Sequence, residues 1–496
     1  MIPALETAYE TVIGLEVHAQ VKTRSKMFCR CSTDYSGAEP NTHVCPVCMG
    51  MPGVLPVINA AAVEAVIRTG LALNCEIPPH AKFDRKNYPY PDLMKGYQIS
   101  EYDMPLCVNG HLDIEVDGVQ RRIRINRVHL EEDTARLLHR DDGYGEAYSL
   151  LDINRAGMPL MEIVTEPDAR SPAEALAYLM KLRQILRYIG VSDANMEEGS
   201  FRCEPNLSLR PKGSDKYGSK VELKNLASFR AALHGAEFEV ERQTRILNEG
   251  GHVVSETRGW RDETGETVSQ RSKEEAHDYR YFPEPDLPPL AVSREMVEEL
   301  RRSLPELPDA RRARFVTSYG LSEYEANLLT ESRAKADFYE ETLNAVSGAD
   351  TGAKAKTVAN WVLGDLSRLL NDSGMELDDP EIKITAASLA KLVNLLQSGT
   401  IVPAAAKEVL RYAFESGDDP ERIVADKELG TIQDDDVIAS AVTKTIAENA
   451  KAVADYRAGK EAALKALVGP VMRETKGRAD PQEVLRLIRA ELDRTS

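Results

Sequence analysis

The strongest constraint on the fold is a strand pattern with one wet side, repeated along the chain. In residues 11–21, Leu15, Val17, Ala19 and Val21 alternate with Glu16, His18 and Gln20, so the extended chain shows one apolar and one polar face. Residues 201–210 repeat this, with Arg202, Glu204, Asn206, Ser208 and Arg210 on one side, and residues 220–225 set Glu222 and Lys224 against Val221 and Leu223. Sheets with one solvated face are the antiparallel kind. Pro205 predicts an edge or a bulge in its strand. Helices punctuate the strands. Ser171 to Glu174 reads as a capping box with Pro172 at the first helical position. Leu176, Leu179, Leu182, Leu186 and Ile189 follow at helical spacing up to Gly190, and Ser228 opens a second helix that ends before Gly250 and Gly251. Short strands mixed with such helices predict an α+β fold, not a doubly wound parallel sheet.

The pattern changes after residues 278–290, whose four prolines fit neither a helix nor a central strand. The expected organisation is a mixed domain over 1–293, an all-α domain over 294–405 and a small helical tail domain over 406–496. A chain of 496 residues can bury several cores without a disulfide or a metal. Its net charge of −18 excludes a non-specific nucleic-acid coat, which depends on neutralising phosphates. One shaped RNA partner stays open if a local basic face exists. Residues 441–496 reverse the sign, with 11 Lys and Arg against 8 Asp and Glu. They read as solvated helix faces or, more sharply, as a small phosphate-contacting patch. No apolar run approaches the roughly 18 residues of a membrane span, and the first residues show no secretory signal. A cytoplasmic chain without a membrane partner is expected.

The cysteines have the most specific spacing. Cys29 and Cys31 form one close pair, Cys45 and Cys48 another, as two thiolate pairs on a folded-back loop would for a tetrahedral Zn²⁺. Four protein ligands leave no open position, so such a zinc is structural. A redox role for Cys45 and Cys48 is weaker, because no thioredoxin-like βαβ pattern surrounds them. Cys75, Cys107 and Cys203 read as ordinary thiols, and an odd total of seven suits a reducing compartment. A second set is acidic. Glu16 and His18 share a strand face, His129, Glu131, Glu132 and Asp133 lie within five residues, and Glu162 stands in an otherwise apolar run. Carboxylates with an imidazole suit Mg²⁺ or Mn²⁺, which can bridge ATP phosphates. The blander reading is a polar sheet face with ordinary ion pairs, and Glu162 fits it least. Alternation along the acidic run groups Glu131 with His129. There is no P-loop, no dinucleotide-binding glycine motif and no G-x-S-x-G elbow. Residues 82–98 crowd tyrosine, proline and basic groups, as a stiff surface loop or a loop that stacks a base and holds phosphate would.

LDINRAGMPLMEIVT at 151–165 resembles the hallmark segment of one family, the GatB-type chains of the tRNA-dependent amidotransferases. VIGLEVH at 12–18, FDRKNY at 83–88, GYQIS at 96–100, HLEED at 129–133, EEGS at 197–200 and DYRYFPEPD at 278–286 resemble its other motifs. GKEAAL at 459–464 and VGPVMRETKG at 468–477 resemble its tail, and Met94 stands where the family often has proline. The resemblance spans essentially the whole chain.

It implies a cradle domain with a glutamine-synthetase-like antiparallel sheet, an all-α domain and a tail that contacts tRNA. It implies a ligase that converts Glu-tRNA(Gln) or Asp-tRNA(Asn) into Gln-tRNA(Gln) or Asn-tRNA(Asn). The GatB-type chain phosphorylates the side-chain carboxylate with ATP. Ammonia then comes from glutamine hydrolysed by a partner amidase, the A component, and a small C component ties the two together. The aminoacyl-tRNA synthetase is a further candidate partner. Carried over by position, Mg²⁺ ligands fall on Glu16, His18, Glu132 and Glu162, and structural Zn²⁺ ligands on Cys29, Cys31, Cys45 and Cys48. Shared strand polarity suggests Arg202 or Lys224 as the group that steadies phosphate charge. Two alternatives stand beside this reading. One is a non-catalytic tRNA scaffold, which explains the zinc pairs and the basic tail but not the acidic set. The other is the archaeal-type relative with a different glutaminase, which the lack of an inserted domain before Ser496 disfavours.

Overall fold

The computed structural model describes residues 8–141, 147–272, 279–432, 434–458 and 460–494. Asp278 and Gly459 of the motifs above, and Ser496, lie outside the described residues. The chain divides into two compact units, Met1–Leu307 and Pro308–Ser496. The first unit is a mixed α/β sheet domain and the second is a long helical region.

In chain order the strands are β1 (Tyr9–Gln20), β2 (His80–Ala81), β3 (Asp84–Asn87), β4 (Tyr97–Ser100), β5 (Cys107–Val116), β6 (Val119–Glu132), β7 (Arg136–Asp141) and β8 (Ala147–Asp152). They continue with β9 (Pro159–Thr165), β10 (Phe201–Pro211), β11 (Val221–Lys224), β12 (Glu256–Arg261), β13 (Glu266–Ser272), β14 (Phe282–Pro283) and β15 (Leu290–Ala291). The helices of this unit are α1 (Ala60–Ala72), α2 (Pro172–Tyr188), α3 (Phe229–Asn248) and α4 (Arg294–Ser303). Among the described residues, eleven strands form one sheet in the order β13-β12-β11-β10-β1-β9-β6-β4-β3-β14, with β5 also on β6. Its pairings are antiparallel except for β11 on β12.

One face of the sheet is dry. Val17 lies opposite Ile163 on one side and Cys203 on the other, and all three are buried. Helices α1, α2 and α3 lie against the sheet and share one core with it. Helix α2 starts where its sequence says. The Ser171 hydroxyl accepts from the Glu174 amide at 3.1 Å, which is worth about 1 kcal/mol. The Glu174 carboxylate accepts from the Arg170 amide instead of closing the box on Ser171. Gly190, at φ +72°, ends the helix in a conformation that suits glycine. Pro205 sits in an interior strand, contrary to the edge or bulge expected of it. Strand β11 pairs only with Asn206 and Leu207, so Pro205 has no partner to fail on that side.

The domain limits differ from those read in the sequence. Helix α4 stays with the first unit, because Met296, Val297 and Leu300, followed by Leu304 and Leu307, pack against the first core. The proline-rich segment is not a linker. Phe282–Pro283 closes the sheet edge on β3, and Leu290–Ala291 pairs with β2. Residue 405 falls inside the helix Pro403–Ser416, whose Ala405, Ala406, Val409 and Leu410 belong to a second core. A third core gathers the tail from Ile438 to Leu492. Among the described residues, no helix is long and apolar enough to cross a membrane.

The second unit is pinned by a carboxylate in a cationic clasp. Glu340, on the helix Arg333–Ala345, receives Arg311 at 2.6 Å, Arg314 at 2.6 Å and the Tyr319 hydroxyl at 2.7 Å. Burial would raise its pKa, but Arg314, Tyr319 and Arg311 outweigh that and pull it down to about 2. A depressed carboxyl pKa stabilises the fold above its ordinary value near 4.5, and that stabilisation disappears as pH falls towards 2. Glu340→Gln is expected to cost roughly 2 kcal/mol at pH 7. The gap to the wild type should close between pH 4.5 and 2, as read by calorimetry across a pH series.

Candidate active site and metal centres

Strand register builds the site. Across β10, β1, β9 and β6, Arg202 pairs with His18, His18 with Glu162, and Glu162 with His129. Alternation puts all four on the polar face of the sheet. Two residues beyond His129, Glu131 points the same way and faces Ser100 of β4, whose hydroxyl donates to it at 3.1 Å. His18 Nε2 lies 3.6 Å from Glu131 and 3.7 Å from Glu162. His129 Nε2 lies 3.2 Å from Glu162 and 3.7 Å from Glu131. His18, Glu131 and Glu162 each offer a ligand atom within 4.8 Å of the others.

This group is largely buried, with Glu131 and His129 2% exposed and Glu162 8%. Burial alone would strip the proton from His129. The Glu162 and Glu131 carboxylates outweigh it and hold the imidazolium up to about 9. Burial likewise opposes the charge on Glu162, but His129, His18 and Lys86 hold it well below the usual carboxylate range. Lys86 enters from β3. Burial works against its ammonium, yet Glu131 and Glu162, with Tyr281 and Tyr88, hold its pKa above the ordinary value. The residues suit a divalent cation. Two carboxylates and an imidazole converge, and the buried His18 Nδ1 finds no hydrogen-bond partner among the described residues.

The remaining expected residues are placed differently. Glu16 flanks the group two residues along β1, accepts from the Asn206 amide at 2.8 Å, and has its pKa raised by burial and then by the Glu162 charge. Glu132, which the resemblance assigns as a ligand, is turned away. Alternation along β6 sends it to the other side, where Lys95 lies 2.7 Å away and the Ile99 amide donates at 2.9 Å. Glu131, not Glu132, is the neighbour that converges with His18 and Glu162. Arg202 lies beside His18 and is held by Asp133, with two nitrogens at 3.3 Å, while Gln20 donates to the same carboxylate at 3.0 Å. Lys224 stands further along the polar face, bridging Glu204 at 3.0 Å and Glu222 at 3.3 Å. His129, Lys86 and Asp133 were not assigned from the sequence. Alternation could find His129 and Asp133, but nothing local marks Lys86.

The four cysteines Cys29, Cys31, Cys45 and Cys48 bring their sulfurs within 4.8 Å of one another, with Cys45 and Cys48 3.9 Å apart. A tetrahedral zinc with Zn–S bonds near 2.3 Å needs sulfurs about 3.8 Å apart. The Cys48 thiol is pulled down, mainly by its hydrogen bond with Cys29 and against burial, with the Cys45 amide and Lys26 helping. The same hydrogen bond pushes the Cys29 thiol up, so the two share one proton between them. Gly50, at φ +65°, turns the loop where an added Cβ would meet Lys95 Cγ at 2.6 Å. All seven cysteines are free.

A family model described as the GatB/GatE catalytic domain matches residues 11–298, and one described as the GatB domain matches residues 337–492. The B component of the aspartyl/glutamyl-tRNA(Asn/Gln) amidotransferase of Dehalococcoides mccartyi strain CBDB1 is 55% identical over 491 residues, covering 98% of this chain and 99% of its own. Proteins of the same name are 53% identical over 484 residues in Carboxydothermus hydrogenoformans and 54% identical over 480 residues in Thermomicrobium roseum. The first covers 98% of this chain and 99% of its own, the second 97% and 98%.

The two neighbouring glutamates should separate cleanly by experiment. Glu131→Gln is expected to weaken Mn²⁺ binding, read by electron paramagnetic resonance, by at least about tenfold. Glu132→Gln should leave Mn²⁺ binding near wild type while lowering thermal stability by roughly 3 kcal/mol, because it strips the partner from Lys95.

Proposed function

The chain belongs to the GatB/GatE family of amidotransferase components, and from that premise we propose that the carboxylate–histidine group on the polar sheet face is where the substrate carboxylate is activated. The activity is tRNA-dependent transamidation, a ligase reaction that turns misacylated Glu-tRNA(Gln) or Asp-tRNA(Asn) into Gln-tRNA(Gln) or Asn-tRNA(Asn). The observation that carries the reading is the convergence of His18, Glu131 and Glu162 beside Arg202 and Lys86.

A carboxylate is a poor electrophile, because its leaving group would be oxide. In the proposed first step a side-chain carboxylate oxygen attacks the γ-phosphorus of ATP and the bond to ADP breaks. Ammonia then forms a bond to the activated carbonyl carbon, and phosphate leaves with the former carboxylate oxygen. The phosphoryl step needs alignment and charge neutralisation more than a nucleophilic protein group. His18, Glu131 and Glu162, with Glu16 beside them, would hold a Mg²⁺ that neutralises phosphate charge. Arg202, oriented by Asp133, is placed to steady the transferring phosphoryl group, and Lys224 lies further out in the same role. Cys29, Cys31, Cys45 and Cys48 would hold a structural Zn²⁺, since four sulfurs leave no position for a reactant.

The wider assembly follows from the same premise. A glutaminase, the A component, would supply ammonia, a small C component would join the two, and the aminoacyl-tRNA synthetase is a further partner to be sought. The sheet, antiparallel around the site with one wet face, supports a glutamine-synthetase-like cradle. The tail of the second unit would contact the tRNA body.

In the complex with its A and C partners, ATP consumption should require Mg²⁺ and Glu-tRNA(Gln) or Asp-tRNA(Asn). Glu162→Ala should lower it by on the order of 10² or more. Turnover untouched by Glu162→Ala would leave the chain a tRNA scaffold. Cys48→Ser is expected to lose zinc by elemental analysis and to lower the thermal midpoint. The Mg²⁺ dependence of whatever turnover survives should be unchanged.

A further inference from the structure

A ladder of tyrosines leads outward from the carboxylate–histidine group, and the mechanism above does not use it. Tyr88 and Tyr279 meet edge to face with centroids 5.7 Å apart, and Tyr279 meets Tyr281 in the same way at 6.1 Å. Tyr281 is stacked on Tyr102 at 4.0 Å with the ring planes 6° apart. Lys86 Nζ, which reaches towards Glu131 and Glu162, lies 5.1 Å from the Tyr279 ring. Three separate segments converge here, at the end of β3, after β4 and before β14. At the outer end, Tyr102 has one face covered by Tyr281 and is still 53% exposed.

A parallel aromatic pair with an open outer face is a template for a third flat ring. Aromatic side chains receive unstacked nucleobases in this way, and single-stranded ends of RNA are their usual source. Small-ligand sites bury about 70–90% of their ligand, which a half-exposed rim does not. A base belonging to a macromolecule needs no such enclosure, because other contacts hold the rest of the molecule. The order of groups also fits. A base on Tyr102 would lie at the rim, and the ladder runs inward from it through Tyr281 and Tyr279 to Lys86.

We propose that the exposed face of Tyr102, backed by Tyr281, is the stacking platform for the 3′-terminal base of the aminoacyl-tRNA. The inference rests on the function proposed above, because it takes the tRNA acceptor end as the ligand.

A double-mutant cycle on the full complex tests it. Binding is measured for wild type and Tyr102→Leu, each with intact tRNA and with tRNA lacking its 3′-terminal nucleotide. The expected result is that Tyr102→Leu weakens intact tRNA about tenfold and truncated tRNA hardly at all, while Tyr102→Trp restores binding. Equal weakening of both tRNAs, or none, would overturn the platform. A rise in KM for ATP without a change in tRNA binding would overturn it too, in favour of a nucleotide stack. Because binding is read without turnover, a failure of the activation chemistry shows separately, as wild-type complex that binds tRNA but consumes no ATP.

Discussion

The two-residue repeat of a strand, locked in register by its neighbours, is the constraint from which the rest follows. Strand β1 is held on both sides, by β10 and by β9, and β9 is held again by β6. Arg202, His18, Glu162 and His129 therefore stand in one row, while Val17, Ile163, Cys203 and Val128 stand in the row behind, against the helices. A slip of one residue in any of these strands would push a carboxylate into the core and a valine into the site. Hydrophobic burial on one face thus fixes the geometry of the charges on the other. The helices α1, α2 and α3 act on the chemistry without touching it.

The same constraint creates an electrostatic problem, which the site resolves by grouping charges. A single ionised carboxylate buried without a partner costs several kcal/mol. Glu131 and Glu162 are buried together, and His129 and Lys86 offset their charge. Behind them, Asp133 is matched by Arg202 and Arg155. On the other side, Glu132 has Lys95. Neighbouring residues 131 and 132 thus have the same side chain and opposite tasks. One converges on His18, and the other ties β6 to the segment that leads into β4.

That pair also shows where the sequence was legible and where it was not. The strands with one wet face, the two helix starts and the cysteine quartet are local patterns, and they read correctly because each depends on spacing within one segment. Alternation grouped Glu131 with His129 but could not by itself choose a ligand, whereas transfer of ligands along the matched motif pointed to Glu132. A motif aligns letters, and two adjacent glutamates give it nothing to choose between. Residues 82–98 stood out as basic and tyrosine-rich, but neither the place of Lys86 near the carboxylates nor the Tyr102–Tyr281 stack was legible, because β3, β4 and β14 come together only through strand pairing. The prolines at 283–289 were rightly excluded from a central strand, but a break in pattern is not a break in fold. Pro283 sits at a sheet edge, where a missing N–H is tolerated, the other three lie in the connection to β15, and α4 after them still belongs to the first core.

An acidic chain that handles a polyanion must choose its contacts locally. At a net charge of −18 the protein repels tRNA at long range, and salt screens that repulsion beyond about 8–10 Å. Within the tail, Lys444, Lys460, Arg486 and Arg494 each lie in an ion pair, so only part of its positive charge faces outward. Recognition under these conditions favours interactions that need no net positive field. Stacking on a tyrosine is one of them, and it works beside a cluster of carboxylates that would turn phosphate away. The site can therefore remain rich in the acidic groups that suit a divalent cation and still receive the one end of the tRNA on which the reaction takes place.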